Sequence, residues 1–185
     1  MTLPTYDTHV RPFAKNFTKI KMSDEDIKKA NKWALDMQLA KLPEYYITMD
    51  IYSSHRRLFN GIIGETAVEK LIGKEFIDWS IGDSKNYRSP DLKSLGYEIG
   101  IKTSEYGRFA VIYKKNEYPQ IFVIYRPIDQ TAFVCGIADI QTLDTYQSDE
   151  LLISPALKAK KLKTGFYGFE FLKPITEIIP VCEGS

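Results

Sequence analysis

From Tyr97 to Lys102 the chain alternates without a fault: Tyr97, Ile99 and Ile101 point one way, and Glu98, Gly100 and Lys102 the other. This pattern demands a strand with one face buried. The residues before it, Ser89-Pro90-Asp91-Leu92, lead through a turn at Ser94 to Gly96, so the stretch predicts a hairpin. A two-residue loop at Leu95-Gly96 would pair Asp91 with Gly100. A four-residue loop would pair it with Glu98. Either keeps Asp91 on the polar face and Leu92 on the apolar one. A three-residue loop would bury Asp91 uncompensated beside Ile99, and is rejected.

The predicted ribbon therefore gathers Asp91, Glu98 and Lys102 on one face. That is the equipment of a metal-dependent phosphodiesterase. Carboxylates hold Mg²⁺, a hard cation that takes oxygen ligands. Metal and lysine together activate water and offset charge on the attacked phosphate.

Pro90-Asp91, followed by Gly100-Ile101-Lys102 on the next strand, resembles the PD-(D/E)XK signature of restriction-endonuclease-like nucleases. Gly61-Ile-Ile-Gly-Glu65-Thr-Ala-Val-Glu-Lys-Leu-Ile-Gly73 is similar to the helix that precedes the core hairpin in many of them. The strands Ile121 to Tyr125 and Val134 to Ala138 resemble the later strands of the core, so the likeness covers about residues 56 to 140. It implies an α/β, restriction-endonuclease-like core, a central mixed β-sheet flanked by helices. It also implies a Mg²⁺-dependent nuclease, with Mn²⁺ as substitute, hydrolysing phosphodiester bonds in DNA. Asp91 and Lys102 carry over from the motif directly. Glu65 carries over from the helix, where a glutamate often faces the metal. Gly100 stands where the family has its second acid, and Glu98, one pleat back or roughly 7 Å away, is the expected substitute. The expected metal ligands are thus Asp91, Glu98 and Glu65. The same glycine motivates an alternative: a catalytically degenerate protein of this fold that binds nucleic acid or a protein partner.

Composition narrows the setting. A chain of 185 residues with 44% hydrophobic and 26% charged residues suits one globular domain with an N-terminal extension over about residues 1–45. The net charge of +1 advertises no global affinity for nucleic acid, so contacts must come from local patches. The candidates are Arg56 and Arg57 ahead of the second helix, Ser104 with Thr103 just past Lys102, Lys114 and Lys115, and the cluster Lys158, Lys160, Lys161 and Lys163. His9 and His55 are the only histidines, so a histidine-based metal site is not expected. Cys135 and Cys182 make no disulfide framework, and no secretory leader or membrane span is read. The expected setting is a bacterial or phage-type cytoplasm. Cutting both strands of DNA would suit a homodimer.

Along the chain, residues 1–22 read as irregular. Ser23-Asp24-Glu25-Asp26 opens a helix from about 24 to 41, closed by Pro43 and buried through Ile27, Ala30, Trp33, Ala34 and Met37. A second helix spans 57–73, where Gly61 and Gly64 signal close approach to a sheet and Glu65 and Glu69 share a side. Phe76 to Trp79 reads as a first strand, and Asp78 and Asp83 as turn residues or extra ligands. Arg108 to Tyr113 reads as a further strand, with no helix before the next one. Gln120 to Arg126 is a continuous apolar run, a strand buried on both faces, paired across a turn with Thr131 to Ala138. Asp139 caps a short helix. Phe166, Phe169 and Phe171 are expected in the core, and Ile175 to Val181 as a last edge strand.

Overall fold

A computed structural model describes residues 2–45, 51–82 and 89–181, with side chains left out at 41–45 and 51–52. In chain order the elements are α1 (Tyr6–His9), β1 (Thr18–Lys21), α2 (Asp24–Tyr45), α3 (Ile51–Ile72), β2 (Gly100–Glu105), β3 (Ala110–Tyr113), β4 (Gln120–Arg126), β5 (Thr131–Ala138), α4 (Ile140–Thr145), β6 (Gln147–Ser148), α5 (Pro155–Lys160) and β7 (Lys163–Phe166), joined by short 3-10 turns.

The uninterrupted apolar run of β4 has a simple cause: its two faces feed two cores. Ile121, Val123 and Tyr125 pack with Ile62, Ile63 and Val68 of α3. Phe122 and Ile124 pack the opposite way, with Ile112 of β3 and Phe166 of β7. The Phe122 and Phe166 rings stack with centroids 4.3 Å apart. Each such side chain contributes about 1.5–3 kcal/mol by leaving water. The result is an α/β molecule in layers. A mixed sheet, ordered β1-β5-β4-β2, lies between the long helices α2 and α3 on one face and a small β3-β7-β6 sheet on the other. β2 runs parallel to β4, while β4–β5 and β5–β1 are antiparallel. β2 thus stands at one edge.

Ser23 and Asp26 cap α2 reciprocally: the Asp26 N–H donates to Ser23 Oγ, and the Ser23 N–H to Asp26 Oδ2. Lys70 of α3 bridges to the same Asp26 at 2.9 Å and ties the two helices. Gly64 lets α3 settle on β2, because a Cβ there would lie 1.8 Å from Thr103 Oγ1; at Gly61 a Cβ would meet nothing within 4 Å. Of the two helix glycines, only Gly64 marks a close approach. Asp139 caps α4 by accepting from the Thr142 N–H.

Several expectations need correction. Residues 18–21 are not irregular: they add β1 to the sheet. α2 continues past Pro43 to Tyr45, and α3 starts at Ile51. Phe76 to Trp79 is not a strand, because Glu69 Oε1 accepts both the Phe76 and Ile77 N–H groups and holds that backbone away from any ladder. Ile175–Glu177 is a 3-10 turn rather than an edge strand, and Phe171 is exposed. Between β2 and β4 lies β3 and no helix, as the alternation of 108–113 suggests. The ribbon is also different. The Leu92 N–H donates to Ile99, the Tyr97 N–H donates back to Leu92, and a 3-10 turn over Lys93–Leu95 closes at Gly96, whose φ is 89°. This is a tight loop, and the ladder partner of β2 is β4.

Candidate functional site

The head of β2 is where chemistry-bearing side chains meet. Gly100 donates its N–H to Pro119 at 3.0 Å, toward β4, so the next N–H, of Ile101, points to the open edge. Asp91 takes it: Oδ2 accepts from Ile101 N at 2.5 Å. The carboxylate of Asp91 is therefore pinned beside the strand by the loop that carries it.

The two faces of β2 then decide its neighbours. Ile101, Thr103 and Glu105 face α3, since Ile101 lies in the helix-side core, Thr103 meets Gly64 and Glu105 bonds Arg56 and Asn60. Gly100, Lys102 and Ser104 face the other way, beside Gln120, Phe122 and Ile124. Asp91, at the edge, is within electrostatic reach of both sides. On the helix side is Glu65, which shares with Asp91 a cleft of about 540 Å³ lined also by Trp33, Met37, Asp78 and Pro90. On the other side is Lys102, whose ammonium lies 5.9 Å from the Tyr113 ring centroid.

Protonation follows from this crowding. Burial, and then the charges of Asp91, Glu69 and Asp78, push the Glu65 carboxyl up to about 8. Burial also raises Asp91, against the opposing pull of the Ile101 N–H and Lys102. Burial lowers the Lys102 ammonium, and Asp91 opposes it. Two acids are held toward the neutral form and a lysine is made easier to deprotonate, so all are poised to respond to an arriving cation or phosphate.

A basic flank adjoins Lys102. Lys163 sits 5.0 Å from the same Tyr113 ring. Its ammonium is lowered by burial and by the charges of Lys102, Arg57 and Lys160. These four cations share one neighbourhood. Lys115, Lys158 and Lys161 are exposed. Other candidates are otherwise engaged. Arg56 forks onto Glu105, Lys114 pairs with Asp149, Ser104 is buried, and Thr103 is turned against α3. Ser104 and Thr103 are thus packing residues rather than phosphate contacts, and Arg56 is paired across to β2.

Glu98 does not join the site. It is exposed, and the carboxylates acting on Glu65 are those of Asp91, Glu69 and Asp78. It precedes the strand, in the loop's return arm, and although it keeps the alternation its side chain stands in solvent. Glu69 is a loop cap rather than a ligand, and Asp78 accepts from Ser80 N in a turn. Asp83 lies outside the described residues. Among the described residues no three His, Cys, Asp or Glu side chains gather as a metal-holding group.

The structure adds two residues that the sequence reading missed. Gln120, beside Gly100 in the β2–β4 register, is buried, and its Oε1 has no hydrogen-bond partner among the described residues. The Tyr118 phenol is raised by burial and by the Asp91 carboxylate, which places it close to the site. A polar residue heading an apolar run signals only a strand start, and the register that brings it to Gly100 is not a local pattern. The oxygen donors at hand suit a hard divalent cation such as Mg²⁺ or Mn²⁺ better than zinc. Comparisons with protein-family models, with curated proteins and with solved structures find no match. No helix among the described residues is long and apolar enough to cross a membrane.

Proposed function

We propose that this chain is a Mg²⁺-dependent nuclease of the PD-(D/E)XK type that hydrolyses phosphodiester bonds in DNA. The observation that carries the reading is Asp91, fixed at the free edge of β2 between a raised carboxyl, Glu65, and a lowered ammonium, Lys102. Asp91 and Glu65 would hold the cation, and Mn²⁺ would serve in place of Mg²⁺. Bound there, such a cation would supply Lewis-acid stabilisation of the phosphate and a more acidic water. Asp91 holds its position through the Ile101 N–H. Glu65, held toward its protonated form, would release that proton to solvent in order to hold the cation. Lys102 faces charge that develops on the phosphate, and Lys163, Arg57 and Lys160 extend the positive surface along which a strand would lie.

A second reading has its own observation. Position 100 is bare and Glu98 stands apart, so the acid count is lower than the motif asks for. That favours a protein that keeps the fold and binds nucleic acid or a protein partner without cutting. One assay separates the two. Plasmid DNA and RNA are incubated with Mg²⁺ or Mn²⁺ and the wild-type chain, Asp91→Asn or Lys102→Ala. The nuclease reading expects metal-dependent cleavage by wild type alone. Tight, metal-independent binding with no cleavage on any substrate would establish the second reading instead.

A further inference from the structure

We infer that the amide oxygen of Gln120 supplies, from the neighbouring strand, the cation ligand that position 100 lacks. The inference rests on the nuclease reading above and deepens it. Gly100 and Gln120 are partners in the parallel β2–β4 ladder, so their side chains leave the same face. A Cβ built on Gly100 would lie 2.4 Å from Gln120 Oε1. In aspartate, the carboxylate oxygens lie roughly 2.4 Å from their own Cβ by ordinary bond lengths. Oε1 therefore lies as far from that Cβ as a carboxylate oxygen of residue 100 would, carried there by a longer side chain from one strand over.

The environment agrees. Gln120 is only 4% exposed, and no donor among the described residues reaches Oε1. An unsatisfied buried carbonyl is costly, and native structures rarely keep one without a use. Amide oxygens are ordinary ligands for hard divalent cations. The position lies at the same strand head as Asp91, on the face that carries Lys102. Asp91 is bonded to Ile101, one residue on from Gly100. The Tyr118 ring edge, 2.8 Å from the same missing Cβ, belongs to a phenol that feels the Asp91 charge. The glycine is then a requirement rather than a loss, because any side chain at position 100 would drive the oxygen out.

The test is Mn²⁺ binding by isothermal titration calorimetry on the full chain, with thermal melts in EDTA as a second readout. Wild type should bind Mn²⁺, and Asp91→Asn should abolish binding. Gln120→Met should weaken it by about tenfold or more. In EDTA the same variant should melt about 2–4 °C above wild type, because an apolar side chain replaces an orphaned carbonyl. The triple variant Gly100→Asp with Gln120→Ala and Tyr118→Ala, which also clears the ring edge 2.8 Å from the new Cβ, moves the oxygen back to position 100 and should recover binding to within about threefold of Tyr118→Ala alone. Gln120→Met that binds Mn²⁺ like wild type, while Asp91→Asn does not, overturns the role of Gln120 and leaves the nuclease reading standing. A lower melting temperature for Gln120→Met in EDTA overturns it too, since the oxygen would then have a partner without metal. Should Gln120→Met fail to fold, a folded triple variant that binds no Mn²⁺ while Tyr118→Ala alone does overturns the inference. Wild type that binds no Mn²⁺ removes both readings together.

Discussion

Helix α3 and strand β2 meet twice with charged groups, and the two meetings are opposites. At the tail of β2, Glu105 receives a forked contact from Arg56 and a hydrogen bond of 2.9 Å from Asn60. Burial alone would raise its carboxyl, yet these partners hold it below the usual range. At the head, no such fork reaches Glu65 or Asp91 among the described residues. Burial wins and both rise. The same two elements thus carry one satisfied charge cluster and one unsatisfied cluster. The first fixes the helix on the strand. The second keeps its electrostatic cost until something from outside meets it, which is how a binding site differs from a clasp.

The sharpest way to break the contrast is at Asp91. Asp91→Asn should lower metal-dependent cleavage by on the order of 100-fold or more, while its far-ultraviolet circular dichroism stays that of wild type. Glu105→Gln should leave cleavage per folded molecule unchanged. Equal losses in the two variants would erase the distinction. Next comes pH. Folded Glu65 keeps its proton up to about 8, whereas unfolded it releases it near 4.5. Between those values the folded state binds more protons, so stability falls as pH rises through the window. In EDTA, Glu65→Gln should therefore be more stable than wild type by about 2–4 kcal/mol at pH 9 and equal to it near pH 4, read by urea denaturation. A pH-independent difference would contradict the assignment. At the clasp, Arg56→Ala should cost about 1–3 kcal/mol at neutral pH, with no change in the salt dependence of DNA binding. Lys163→Ala should reduce that salt slope instead. The smallest effects lie in the helix itself. Gly64→Ala should destabilise by about 1–3 kcal/mol through its collision with Thr103, and Gly61→Ala should stabilise by up to about 1 kcal/mol.

Much of this could be read before any coordinates. β4 and β5 run over the residues that the apolar patterns mark, and Asp139 caps α4, because an apolar run and a cap are local signals. Asp91 and Lys102 were legible for the same reason: a short loop leaves little freedom about which residues end up near one another. Glu65 was legible as an acid on an apolar helix face. What failed depended on distant partners. β1 is four residues, Thr-Lys-Ile-Lys, largely exposed, and its strand character comes from pairing with β5. Phe76 to Trp79 has strand-forming residues, but Glu69 captures two of its N–H groups. Glu98 kept the right alternation but belongs to the loop, and Gln120 acquires its meaning only from a register set twenty positions away.

The double-sided β4 has one more consequence. Its residues are the common wall of both cores, so neither the helical layer nor the small sheet can peel away without wetting that wall. Opening is then all-or-none rather than piecemeal, and the amide hydrogens of Ile121 to Tyr125 should be the last in the chain to trade with deuterium. The glutamine at the head of that strand is therefore anchored to the wall that both cores share.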